Sequence, residues 1–234
     1  MSNGTEGLVV VTGASRGVGR ATVEALVRDH GARVLAVART EGALQELKAL
    51  GPLVEVLRLD LEEEGAPAAL AAAVGERRVR ALVNNAGLLL KRGLLEWTES
   101  DLQRLHRVNV VAPLRLVQAL ADRLSGDPAG HVVNVGSMGG VMGSMKFAGL
   151  LGYTVSKGGL VTLTECLAEE LKDRGVRANC VCLGAVDTEM LREAFPGYQA
   201  PVGPVEVGNF LARFALEGAN LFNGKVLQMA ASTP

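Results

Sequence analysis

The chain predicts an α/β fold, a doubly wound parallel sheet of about seven strands between two layers of helices, formed as a single domain over residues 1–234. Three observations carry this expectation. Short apolar runs alternate with longer amphipathic segments from end to end. Several of the runs are apolar at nearly every position, as strands covered on both faces require. Glycine-rich or polar turns follow the ends of the runs, where right-handed crossovers would gather loops on one edge of a parallel sheet.

Taken in order, the run Gly7-Leu-Val-Val-Val-Thr12 gives the first strand, Leu8–Thr12, and breaks at Gly13-Ala-Ser-Arg-Gly17-Val-Gly19. Ala21, Val23, Ala25, Leu26 and Val27 then predict a helix over Gly17–Asp29, stopped by Gly31. Further strands are predicted at Arg33–Ala38, Val54–Leu59, Ala81–Asn84, His131–Val135, Arg177–Leu183 and Lys225–Met229. Further helices are predicted at Glu41–Leu50, Ala66–Gly75, Ser100–Leu124, Tyr153–Arg174 and Val205–Glu217. Gly13–Gly19, Arg39, Asp60, Asn84–Gly87, Ser137 and Gly184–Thr188 all follow strand ends, so they converge on the sheet edge where such folds bind ligands.

Composition sets the class and excludes others. A chain of 234 residues, 48% hydrophobic and 21% charged, suits one α/β domain with a large core. A net charge of −1 points to no nucleic-acid partner and no acidic membrane surface. The N-terminal Met-Ser-Asn-Gly-Thr-Glu lacks the basic and apolar regions of a signal peptide, and no apolar stretch reaches the ~18 residues of a membrane span, so a cytoplasmic protein is expected. Cys166, Cys180 and Cys182 form no disulfide framework and are expected as buried thiols, the last two side by side on one face of a strand. His30, His106 and His131 are scattered without partners at ligand spacing, so no metal is expected.

The chemistry begins with two motifs. The strand, glycine turn and helix at Leu8–Asp29 suit a pyrophosphate: the glycines let backbone approach, and the helix N-terminus offers free N–H groups. The spacing is Gly-x-x-x-Gly-x-Gly, not the common Gly-x-Gly-x-x-Gly, and the alternative is an ordinary turn. Tyr153 and Lys157 are four residues apart and share one helix face. A phenol titrates near pH ~10, and a neighbouring cation would lower that value toward the range useful for acid–base chemistry. Arg39 lies 20 positions beyond Gly19, where an acidic residue would hold the ribose 2′-hydroxyl of NAD; with Arg16 it suits the 2′-phosphate of NADP instead. NADP(H) is therefore expected over NAD(H), with Glu41 as the residue that would soften the preference.

Together, Thr12-Gly-Ala-Ser-Arg-Gly-Val-Gly19, Asn84-Asn-Ala-Gly87, Asn109, Ser137 and Tyr153-x-x-x-Lys157 resemble the single-domain branch of the short-chain dehydrogenase/reductase family, over nearly the whole chain. The resemblance implies a Rossmann-type fold, a nicotinamide cofactor and an active site of Asn109, Ser137, Tyr153 and Lys157. Tyr153 would exchange the proton, Ser137 would bond the same substrate oxygen, Lys157 would hold the nicotinamide ribose, and Asn109 would kink its helix and bind a relaying water. For the cofactor it implies Gly13, Ser15, Arg16, Gly17, Val18, Gly19, Arg39, Asp60, Leu61, Asn85, Ala86, Gly87, Gly184, Val186 and Thr188, besides Tyr153 and Lys157. Asp60 would contact adenine and Thr188 the carboxamide. A homodimer or homotetramer is implied, packed through the Ser100–Leu124 and Tyr153–Arg174 helices, with Leu114, Val117, Leu160, Leu163 and Leu167 serving either that contact or the core.

The chain departs from the family pattern in three places. Tyr153 follows Ser137 by 16 positions, about three more than expected; Ser144 is nearer, but Ser137 has the strand before it. Leu183-Gly184 stands after the sixth strand where Pro-Gly is usual, which bears on the rigidity of the turn and not on the fold. The segment from Glu189 to Pro204 is short and rich in proline and glycine, which predicts an open site or a small lid using Met190, Leu191, Phe195 and Tyr198. Met138, Met142, Met145, Phe147, Leu150 and Leu151 would line the substrate pocket or merely pack their loop. The expected activity is an NADP(H)-dependent carbonyl reductase or alcohol dehydrogenase acting on a small carbonyl or alcohol. The alternative is a catalytically weak dinucleotide-binding regulatory protein on the same fold. An epimerase or dehydratase is expected to need a substrate domain for which this length leaves no room.

Overall fold

A computed structural model describes residues 7–231. The N-terminal hexapeptide read above for a signal sequence lies outside them. Seven strands form one sheet: β1 Leu8–Thr12, β2 Arg33–Ala38, β3 Val54–Arg58, β4 Val79–Asn84, β5 His131–Ser137, β6 Arg177–Leu183 and β7 Val226–Met229. Their order is β3-β2-β1-β4-β5-β6-β7 and every pairing is parallel. The order reverses between β1 and β4, so the loops leaving those two strands part and open a crevice at their C-terminal ends.

Alternation along each strand fills the two layers. Val9 and Val11 face the layer of α1 (Gly17–Arg28), α2 (Glu41–Lys48) and α8 (Pro204–Glu217), with Leu26, Leu44 and Leu211 fully buried against them. Leu8 and Val10 face the opposite layer of α3 (Ala66–Val74), α5 (Ala112–Leu124) and α6 (Leu151–Glu170). Every residue of β1 is buried, which is why its sequence is apolar throughout rather than alternating. Val117, Leu160 and Leu167 are buried in the core, and Leu114 and Leu163 are partly buried and pack against it. Cys180 and Cys182 lie buried side by side, Sγ to Sγ 3.7 Å, whereas Cys166, expected to be buried, is exposed on α6. No helix among the described residues is long and apolar enough to cross a membrane.

Two elements differ from expectation. The single helix predicted over Ser100–Leu124 is α4 (Glu99–His106), a π-helical turn at Arg107–Val111, and then α5. The extra residue in the turn swings Asn109 out of the helical ladder toward the loop after β4. The Pro/Gly segment after β6 carries a short helix, α7 (Glu189–Ala194). Thr188 starts it by accepting from the Leu191 N–H at 3.3 Å, and Asp187 N–H donates to Val202 O at 2.8 Å to close the loop behind it.

Candidate active site

The loops at the C-terminal sheet edge enclose a cleft of about 710 Å³. Thr12 ties the loops after β1 and β4 together. Its Oγ1 accepts from the N–H groups of Asn85 and Ala86, both at 3.1 Å, and Asn85 Nδ2 donates to the carbonyls of Thr12 and Gly13 at 3.0 and 3.1 Å. Gly13 has φ +66°, and a Cβ there would stand 2.8 Å from Ala86 Cα. A Cβ at Gly19 would stand 2.3 Å from Gly13 O. The glycines thus let two loops and the first turn of α1 close on one another, and Asn85, Ala86 and Gly87 meet Gly13, Ser15, Arg16, Gly17 and Val18 across one wall. Gly19 itself does not line the cleft; its part is the packing beneath. Arg16, at the N-cap of α1, gives no side-chain cap, so the helix N-terminus keeps free N–H groups beside the cleft.

The β2 and β3 ends form the far wall. Arg39 lines it with its side chain 65% exposed and 3.9 Å from Asp60, so its guanidinium is available to an incoming anion. Asp60 Oδ1 accepts from the Glu62 N–H at 3.0 Å, which fixes the turn bearing Leu61 and Glu62. Glu41 is not in the lining; its Oε1 accepts from Gln45 Nε2 on α2 at 2.8 Å. Arg16 pairs across the mouth with Glu189.

At the other end stand Ser137, Tyr153 and Lys157, with Gly184, Val186 and Thr188 opposite. Ser137 lies beside the Tyr153 hydroxyl and draws its pKa downward. Lys157 is 4% exposed; its Nζ lies 6.0 Å from the Tyr153 ring centroid and donates to Val135 O at 2.8 Å. Polar tethers set the register of α6. Ser156 Oγ accepts from Asn109 Nδ2 at 2.8 Å and donates to Tyr153 O at 2.7 Å, while Thr164 accepts from Asn134 at 2.9 Å and Asn134 from Asn84 at 2.9 Å. Asn109 is fully buried outside the cleft lining. It accepts from the Leu88 N–H at 2.8 Å and donates to Leu88 O at 2.9 Å, so it holds the loop after β4 against α6.

The charges correct one expectation. Burial pushes the Tyr153 phenol up to about 12, against the weaker opposing pull of Ser137. Burial likewise brings the Lys157 ammonium down to about 8. The cation was expected to acidify the phenol; in the protein alone burial raises it, and Lys157 is not among the groups that act on it. Below them, the hydrogen bond between the two thiols and then the nearness of Lys157 hold Cys182 below its ordinary value, and the same bond raises Cys180.

The long Ser137–Tyr153 segment builds the rim. Met138, Phe147 and Leu150 line the cleft, whereas Met142, Met145 and Leu151 are 96%, 60% and 45% exposed and do not. Ser144 is turned away, donating to Val141 O at 2.9 Å and to Met138 O. Of the lid candidates, Met190, Leu191 and Phe195 line the cleft and Tyr198 does not. Sequence reasoning passed over Thr12, Leu88, Leu89, Lys91 and Ser156. Thr12 and Ser156 carried a signal, a hydroxyl residue ending an apolar strand and one beside the Tyr–Lys pair; Lys91 carried none.

Three comparisons bear on this geometry. The family model "short chain dehydrogenase" matches residues 7–199. The 3-oxoacyl-[acyl-carrier-protein] reductase of Vibrio cholerae is 30% identical over 235 residues, 95% of each chain. Carbonyl reductase [NADPH] 2 of Sus scrofa is 37% identical over 185 residues, 78% of this chain and 73% of that one. Among solved structures, a short chain dehydrogenase/reductase family protein superposes with a TM-score of 0.86 at 27% identity, covering 97% of both chains.

Proposed function

The chain belongs to the short-chain dehydrogenase/reductase family, and on that premise we propose that it is an NADP(H)-dependent oxidoreductase interconverting a carbonyl compound and a secondary alcohol. One observation carries the reading: the Tyr153 phenol, with Ser137 and Lys157 beside it, lines one end of a cleft whose other end is a glycine cradle under a free helix N-terminus. The cradle fits a dinucleotide, because Gly13 and Gly19, where side-chain carbon would strike Ala86 and Gly13 O, let the loops close beneath an uncapped helix N-terminus whose N–H groups suit a phosphate. The nicotinamide, when bound, supplies or accepts the hydride.

The chain's own residues do the rest. Ser15, Arg16, Gly17 and Val18 would hold the pyrophosphate, Asp60 and Leu61 the adenine, and Asn85, Ala86 and Gly87 the middle of the cofactor. Gly184, Val186 and Thr188 would hold the carboxamide end. Tyr153 gives its hydroxyl proton to the carbonyl oxygen in reduction and regains one from solvent; oxidation reverses this. Ser137 donates to the same oxygen, where negative charge grows. Lys157 orients the ribose, and Asn109 is a positioning residue through Leu88 and Ser156. Arg39 and Arg16 favour the 2′-phosphate of NADP(H), and the cofactor printed in the name of the Sus scrofa relative supports that choice.

The same reading takes residues 1–234 as one domain, working in the cytoplasm as a homodimer or homotetramer; Leu102, Leu151 and Val155 supply exposed apolar surface on α4 and α6. The test is NADPH oxidation against a panel of carbonyl compounds, with Tyr153→Phe beside wild type. The variant should bind NADPH within a few-fold of wild type and lose on the order of 10²–10⁴ in kcat. Full rate in the variant removes Tyr153 as the proton donor. NADPH binding without turnover of any carbonyl would favour the regulatory-protein alternative.

A further inference from the structure

Three segments meet at the substrate end of the cleft, and the contacts there engage Lys91, Lys146 and Arg192. The loop after β4 contributes Lys91, whose Nζ donates to Ala194 O at 2.6 Å, the last residue of α7, and stands 5.5 Å from the Phe195 ring centroid. Phe195 meets Phe147 edge-on, with centroids 5.2 Å apart and planes at 76°. The Phe147 loop is tied back to the first segment, since the Arg92 N–H donates to Gly149 O at 3.0 Å and a Cβ at Gly149 would stand 3.0 Å from Lys91 Cγ. The neighbouring cations are committed as well. Lys146 Nζ donates to Val141 O at 2.7 Å and Ser144 Oγ at 2.8 Å, and Arg192 pairs with Asp187 at 2.5 Å. The apolar part of the cleft lining near these segments includes Leu89, Met138, Phe147, Leu150, Met190 and Phe195.

We propose that the carbonyl compound taken here is uncharged and carries an aromatic or similarly broad apolar substituent, seated against the edge-on Phe147–Phe195 wall that Lys91 positions. This rests on the reductase reading above and narrows it. A carboxylate beside the ketone would enter an enclosure whose rim cations already hold carbonyls or Asp187, and whose inner cation, Lys157, is taken by the cofactor ribose on the reading above, a costly burial. A ring offers its face or edge to the two phenylalanines and gains both area and aromatic geometry. Lys91 does not touch the reacting atoms; it acts by holding the end of α7, and with it Phe195, over the cleft.

The test compares two ketones that differ by one charge, ethyl benzoylformate and benzoylformate, in NADPH oxidation by the full chain, with 2,3-butanedione as a small dicarbonyl that needs no wall. The ester should exceed the acid in kcat/KM by about tenfold or more. Phe195→Ala should lower kcat/KM for the ester by about tenfold more than for 2,3-butanedione. Lys91→Met should raise KM for the ester several-fold with a smaller change in kcat, and Lys91→Arg, which keeps a donor and a cation for the ring, should recover most of it. An acid reduced as well as the ester overturns the proposal, as does a preference of about tenfold or more for an acetoacetyl thioester on an acyl carrier protein. If 2,3-butanedione is reduced and the ester is not favoured, the reductase reading stands and the substrate class falls. No turnover with any of these compounds sinks the reductase reading itself, and the substrate class with it.

Discussion

Replacing Lys157 by Met should stabilise the protein at neutral pH while removing activity. The ammonium is 4% exposed and burial is the first cause of its displacement, from 10.5 to about 8. At about 1.4 kcal/mol for each tenfold change, that displacement corresponds to an upper bound of roughly 3 kcal/mol against the charged form. Met is close in volume and removes the charge. It also leaves Val135 O without its partner, a loss of about 1 kcal/mol. The net gain is about 2 kcal/mol, or ~4–8 °C in Tm for a chain of this size. The sign with pH follows from the proton count. Below about pH 8 both folded and unfolded wild type carry the charge and the penalty is complete; from about 8 to 10.5 the unfolded chain holds more protons, so wild-type stability rises. Tyr153, raised from 10.0 to about 12, works in the opposite sense only above pH 10. Urea unfolding of both proteins at pH 7 and pH 9.5 should therefore show the gap shrinking at the higher pH. A variant less stable than wild type at pH 7, or a gap indifferent to pH, would refute the argument.

Arg39→Ser should raise KM for NADPH by about tenfold to a hundredfold and leave KM for NADH within a few-fold, because a charge-assisted bond reaches only the 2′-phosphate; equal changes for both nucleotides would dismiss that role. Thr12→Val keeps shape but orphans the Ala86 N–H and leaves the Asn85 N–H with Val83 O alone, and chemical denaturation should show a loss of about 1–3 kcal/mol. His131, whose burial brings it from 6.5 to about 4, binds its proton first in the unfolded chain, so stability should fall as pH drops from 6.5 toward 4. His131→Gln should flatten that slope in an acid titration of unfolding, and an unchanged slope would place the effect elsewhere.

The sheet was legible because its strands are covered on both sides: Leu8–Thr12 and Arg177–Leu183 are apolar runs with turn residues beyond, and the sequence bounds match the structure. The nucleotide end of the cleft was legible for a related reason, since glycines at fixed offsets from a strand end leave few conformations open. The π-helical turn was not. It exists because Asn109 finds Leu88, 21 residues away, and Ser156, 47 residues away, and no local propensity encodes those partners. The short helix α7 had a local signal in Thr188 followed by Glu189, hidden by the proline and glycine residues that follow. The rim was half legible. Its apolar content was visible, but whether Met142 or Phe147 turns inward depends on Phe195 and on Lys91, which the sequence places 48 and 56 positions from Phe147.

The displaced values of Tyr153 and Lys157 bear on the direction of the proposed chemistry. A cation about 6 Å from a phenol is worth roughly 3 kcal/mol at an effective dielectric constant near 20, enough to acidify it by about two pH units. Lys157 Nζ lies 6.0 Å from the Tyr153 ring centroid, yet it is not among the groups that move the phenol, which burial raises to about 12. The cause is shared: the enclosure that excludes water from the hydroxyl also brings the ammonium to about 8, so each charged form is opposed by the same apolar surroundings. At neutral pH the hydroxyl keeps its proton and the ammonium keeps most of its charge. On the reading proposed above, this is the state that reduction uses, a proton held beside Ser137 until the carbonyl oxygen becomes basic enough to take it. Oxidation needs the phenolate first, and in these surroundings that form requires an additional positive charge close to the hydroxyl. On that reading, burial favours the proton-donating form of Tyr153.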